Sequence, residues 1–128
     1  MNFRHKDYKL VLIYINESQK RWLEELLDAE KYVMYSVQTG LEAAWSEHEK
    51  HMNNKIWPGK ECIFRILVRE TKLEALLGKL RGFRLTLPQG VIMAAGVVAL
   101  EGLIVDFINE DIEYDPAQVA EWKDKHRR

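Results

Sequence analysis

Two groups of side chains in this 128-residue chain have the types and spacing to do chemistry. One is His48 and His51, flanked by Glu47 and Glu49. Three residues apart on a helix, the imidazoles would share a face and could meet one divalent metal, with a carboxylate or a second copy completing a tetrahedral set. The same spacing equally fits a solvated polar helix face. The other group is Arg81 and Arg84 with Lys79, beside Gly82 and Gly90. Guanidinium forks next to glycine-rich backbone suit a phosphate or carboxylate. The competing reading is a helix C-terminus whose cations complement the dipole. Cys62 stands at the start of an apolar run with no cation beside it, as a buried structural thiol would. Glu101 follows a second apolar run, where it either answers Arg81 or Arg84 or marks the return to solvent. Trp45 and Trp57 are either lids on the core or anchors for a partner. Tyr35 and His5 are the modest polar candidates for an enzyme cavity. No nucleophile–base pair, zinc-protease signature, phosphate loop or dinucleotide fingerprint is present, so the motifs point away from an enzyme.

Elements must hold these groups, and composition bounds what the elements can build. The chain is 47% hydrophobic, enough for a core in one domain. Acidic and basic residues nearly cancel, at 20 against 19. That balance gives no electrostatic reason to expect nucleic acid or an anionic membrane as partner. A single cysteine cannot form an internal disulfide, and the first residues lack an apolar signal segment, which suggests the cytoplasm. The longest apolar stretch, residues 91–100, is too short to span a bilayer.

Residues 10–15 are continuously apolar and read as a buried strand. Asn16 and Gln19 form a capping-box pattern, and Trp22, Leu23, Leu26 and Leu27 then recur at helical spacing. Residues 32–38 read as a second strand. Residues 41–60 are polar and weakly patterned, with a short helix suggested by Leu41, Ala44, Trp45, His48 and Met52. A segment of this length without structure is more often functional than accidental. Residues 61–69 read as a third strand. Thr71 and Glu74 cap a leucine-rich helix that Gly82 should end. After the turn 87–90, residues 91–100 read as a fourth strand. Residues 104–113 suggest an edge strand, and Asp115-Pro116 opens a terminal helix with Val119 and Trp122 as docking residues.

The order β-α-β, loop, β-α-β predicts an α+β, ferredoxin-like βαββαβ sandwich: a four-stranded antiparallel sheet, two helices on one face and an added C-terminal helix. The core would span residues 8–106 and the extension 107–128. Apolar residues on both strand faces predict that a partner subunit covers the second face.

The stretch Pro58-Gly59, the strand 62–68, the leucine-rich helix with Leu80-Arg81, and Leu87-Pro88-Gln89-Gly90 together resemble the PII-like signalling proteins. Residues 98–104, Val-Ala-Leu-Glu-Gly-Leu-Ile, are similar to the ending of the fourth strand in many of them. The resemblance implies a regulatory homotrimer whose inter-subunit clefts bind a small effector. Residues 41–60 would be its T-loop and would engage a target protein. It implies a cleft framed by Gln38, Thr39 and Gly40 on one side and Arg81, Arg84, Gln89 and Gly90 on the other, with Glu101 nearby. The chain departs from the family in four places, one being Ala99 where the family has proline. The glycine-rich phosphate loop is replaced by Arg81-Gly82-Phe83-Arg84-Leu85-Thr86-Leu87-Pro88-Gln89-Gly90. An Arg-x-Arg is replaced by Ile104-Val105-Asp106, and residues 41–60 contain no tyrosine. These departures argue against ATP and against 2-oxoglutarate. Two other readings stand beside this one: a metal-binding PII-like protein using His48 and His51, and a small ferredoxin-like α+β-barrel enzyme.

Overall fold

The computed structural model describes residues 7–44, 50–51, 60–104 and 113–126. In chain order the elements are β1 (Tyr8–Asn16), a 3-10 turn (Glu17–Gln19), α1 (Lys20–Ala29), β2 (Tyr35–Leu41), β3 (Ala43–Ala44), β4 (Lys50–His51), β5 (Glu61–Arg69), α2 (Glu70–Leu85), β6 (Met93–Ala99) and α3 (Pro116–Lys125). The main sheet has the order β2-β5-β1-β6, and each neighbouring pair is antiparallel. Each helical crossover therefore skips one strand, and the two β-α-β units interleave. This is the ferredoxin-like arrangement that the element order predicts.

Strand alternation sorts the residues onto two faces. Val11, Ile13 and Ile15 of β1 pair with Ile66, Phe64 and Cys62 of β5, and all six are buried. Leu23 and Leu27 of α1 and Leu76 and Leu80 of α2 close over them. The opposite face carries Leu10, Leu12 and Tyr14 of β1, Ile63, Arg65 and Leu67 of β5, and Ala94, Gly96 and Val98 of β6. No helix among the described elements packs on it in the way α1 and α2 pack on the first. Strand β6 lies at an edge, and Val97 and Val98 stay 44% and 41% exposed.

Element boundaries differ from the sequence expectation where tertiary contacts outweigh local signals. Asn16 does cap, but it accepts from Ser18 N at 2.9 Å and starts the 3-10 turn; α1 begins afterwards without a side-chain cap. Lys31, with φ of 61°, ends the α1 turn, and Tyr32 packs on the core before β2 starts at Tyr35. Helix α2 starts directly off β5 at Glu70, so Thr71 is already inside it. Gly82 does not end α2 either. The helix continues to Leu85 because the extra turn seats Phe83, and Leu87 beyond it, against the core. The hydroxyl of Thr86 donates to Phe83 O at 2.7 Å and closes the last turn.

The short helix expected within 41–60 is replaced at its described positions by a ribbon, β3 paired with β4 through Ala43–His51 and Ala44–Lys50. Leu41 belongs to β2 and pairs with Glu61, so it cannot begin a helical stripe. Trp45, His48, Met52 and Trp57 lie outside the described residues, as does most of the expected edge strand 104–113. Helix α3 forms as predicted: Asp115 accepts from Ala117 N at 3.0 Å, and Pro116 takes the first turn. It buries no residue, and Trp122 is 51% exposed. No described helix is long and apolar enough to cross a membrane.

Candidate functional site

Helix α2 is seated by Leu76 and Leu80, which face the sheet. The adjoining stripe, Leu77, Arg81 and Arg84, follows i, i+4, i+7 spacing and so projects together past the seated face. There it meets β6, whose Met93 and Ala95 point to the helix side. These residues line an open cleft of about 240 Å³. The small Ala95 leaves space beneath the guanidiniums. Among the described residues neither Arg81 nor Arg84 has a carboxylate partner. Lys79, predicted to join them, instead bonds Glu30, the residue after α1, at 3.1 Å. Two donor forks beside an apolar floor suit a phosphate or carboxylate.

Gln89 and Gly90 follow α2 in the turn that leads to β6. Val91 N donates to Pro88 O at 3.1 Å, and Gly90 has φ of 87° at the third position, as a type II turn requires. Gln38, Thr39 and Gly40 are exposed at the end of β2. The side-chain oxygen of Gln38 accepts from Arg65 at 2.8 Å. Gly40, with φ of 75°, donates its N–H to the Glu17 carboxylate.

Register fixes how these groups relate. Ile15 pairs with both Met93 and Cys62, and Leu41 pairs with Glu61. The ends of β1 and β2 and the starts of β5 and β6 therefore lie at one end of the sheet. Gln38–Gly40 and Arg81–Gly90 share that end but sit at opposite edges, three strand spacings or about 14 Å apart. One chain does not close a cleft between them. Glu101 lies beyond Ala99, which pairs with Lys9 at the far end, about 20 Å from Met93 along the strand. It is not brought to Arg81 or Arg84 within one chain.

His51 sits on β4 opposite Ala43, and His48 lies outside the described residues. The helical spacing that would have aligned the two imidazoles does not hold at His51. No cluster of three or more metal-ligating side chains occurs among the described residues. Of the enzyme candidates, His5 lies outside the described residues. The Tyr35 hydroxyl donates to Asp28 at 2.9 Å; burial, then Asp28, raises its pKa, which opposes a role as base. Cys62 is fully buried, and loss of solvent pushes its thiol up to about 12. It is structural at neutral pH.

A larger groove was not anticipated. On the open sheet face, Leu10, Leu67, Leu103 and Ile104 surround a space of about 560 Å³ that Arg65 and Ser36 also line. The available signal was Arg65, alternating with Ile63 and Leu67 in the apolar middle of a strand bounded by Glu61 and Arg69.

No protein-family model matches the chain, and no curated protein does. Solved structures do. CPII from Thiomonas intermedia K12, bound to ADP and bicarbonate, is 15% identical with a TM-score of 0.55, over 73% of this chain and 88% of that one. The same nitrogen regulatory PII-like protein bound to ADP, AMP and bicarbonate gives 16% identity and 0.54, over 76% and 96%. Its apo form gives 14% and 0.51, over 71% and 88%. The chain shares the fold of the PII-like proteins.

Proposed function

We propose that this chain is a PII-like regulator that assembles into a homotrimer and binds a small anionic effector between neighbouring copies. The observation that carries the reading is the pair Arg81 and Arg84 over the β6 edge, with no carboxylate partner among the described residues. The fold supports it, and so does the ligand chemistry of CPII, whose bound ADP, AMP and bicarbonate are all anions.

Gln38–Gly40 and Arg81–Gly90 lie at the same sheet end but on opposite edges. A ring that sets the β2 edge of one copy beside the β6 edge of the next brings the halves together. Covering the arginines with a second copy also removes water and strengthens their grip on an anion. The 41–60 segment starts at this cleft, one residue after Gly40. An anion that takes the Gly40 N–H would compete with the Glu17 carboxylate, which now accepts from it. Exchange of that bond shifts the population of ribbon positions and so presents or withdraws residues 41–60 from a target protein.

A thermal-shift titration with ADP, AMP and bicarbonate tests the reading. A true effector at 100 times its dissociation constant stabilises by about 2.7 kcal/mol. Arg81→Ala/Arg84→Ala should abolish that stabilisation without lowering the melting point of the free protein. Equal stabilisation of variant and wild type would remove the cleft from the account.

A further inference from the structure

On the helix side of the molecule a groove opens between the start of α1 and the end of α2. Trp22 and Leu26, one turn apart on α1, form one wall. Phe83 of α2 and Pro88 beyond it form the other, around a space of about 650 Å³. Leu26 and Phe83 are half-buried, but Trp22 stays 56% exposed. The groove shares no residue with the Arg81–Arg84 cleft. It includes no residue of β2, of β6 or of the open sheet face, so the proposed ring leaves it uncovered. Helix α3 has the complementary need. It is capped by Asp115 and Pro116, yet it buries no residue. A ten-residue helix is marginal in water by itself and draws its stability from a surface packed on its apolar stripe. That stripe is Val119 and Trp122, three residues apart, with Trp122 51% exposed. The charges match as well. Residues 17–30 carry five acidic side chains against two basic, and residues 123–128 carry four basic against one acidic. Glu25 lines the groove itself.

We propose that α3 of one copy docks in the Trp22–Phe83 groove of a second copy. Val119 and Trp122 enter the groove, and the basic end of the helix lies along the acidic side of α1. Within one chain both the groove and α3 are formed, and α3 still buries nothing, which points to another chain as its source. Aromatic side chains carry most of the area in such contacts, and here Trp122 would meet Trp22 and Phe83. The contact latches copies together from the helix side, apart from the strand edges and apart from the effector cleft.

Disulfide trapping in the full chain tests this, since the native Cys62 is fully buried. Chains with Thr86→Cys, at the groove, are co-expressed with differently tagged chains carrying Lys123→Cys, on α3. The bridge between the two chains should form at least tenfold faster than with Lys72→Cys, at the far end of α2, in place of Thr86→Cys. Trp22→Ala or Trp122→Ala should slow it at least tenfold; both rings are exposed, so the fold is kept. Arg81→Ala/Arg84→Ala should leave the rate as it was, so a failure of the effector cleft and a failure of this contact are told apart. Equal rates at positions 86 and 72, or a rate untouched by Trp22→Ala, would overturn the proposal. So would a Thr86→Cys/Lys123→Cys double variant that bridges only within its own chain. Should the cysteine variants fail to fold, hydrogen exchange decides. The α3 amides of the wild type must exchange at least tenfold more slowly than those of the free peptide 113–128, and Trp22→Ala must remove that protection. Unprotected amides, or protection that survives Trp22→Ala, overturn the proposal.

Discussion

Phe64 lies fully buried at the centre of β5, its ring stacked at 6.1 Å on that of Tyr35. Phe64→Ala should cost about 3–5 kcal/mol in urea unfolding, since the surrounding strands and helices cannot collapse into the space. Cys62, two residues earlier on the same face, sets a pH dependence. Its folded pKa of about 12 lies above the ordinary 9.0, so the native state holds the thiol proton longer than the unfolded chain does. The stability it contributes is fully present below pH 9 and is lost as pH rises from there towards 12. Urea midpoints between pH 8 and 10.5 should therefore fall more steeply for wild type than for Cys62→Ala. At this scale the sequence was partly legible. Arg81 and Arg84 stood out as cations beside Gly82 and Gly90, but their common helical stripe was hidden, because the sequence signals a helix end at Gly82 and α2 runs on to Leu85. Lys79 was misassigned because its partner, Glu30, lies just past α1 and far from it in the chain, and the groove that Arg65 lines was missed because Leu103 and Ile104 reach it from far along the sequence.

Helix α2 contains Gly78 and Gly82 in its interior, both exposed, and an added Cβ at either meets nothing within 4 Å. Gly78→Ala and Gly82→Ala should each stabilise by about 0.5–1 kcal/mol, through helix propensity and a less flexible unfolded chain. Gly40→Ala should do the opposite, because φ of 75° strains any side chain there. Thermal melts of the three variants give the signs. The strands were the legible elements: β1 and β5 are continuous apolar runs, and β5 begins and ends where the pattern places it. Helix ends were not, because Gly82 signals a stop that Phe83 and Leu87 override by packing. The helical spacing within 41–60 misled for a related reason: β2 claims Leu41 through its pairing with Glu61.

For the molecule as a whole, the order of elements was enough to predict the sheet, since right-handed crossovers that skip one strand leave a single antiparallel arrangement. The proposed trimer draws on the surfaces left over. Strand β6, Met-Ala-Ala-Gly-Val-Val-Ala, holds seven residues without a charge at a sheet edge. Leu10, Leu12 and Leu67 stay half-buried on the open face. An uncharged edge of that kind invites pairing unless another chain covers it. The two halves of the proposed effector cleft also meet only between chains. Sedimentation equilibrium of the 128-residue chain across a wide concentration range is therefore the most direct test. The account predicts one species of three times the chain mass; a single-chain mass at every concentration would contradict it.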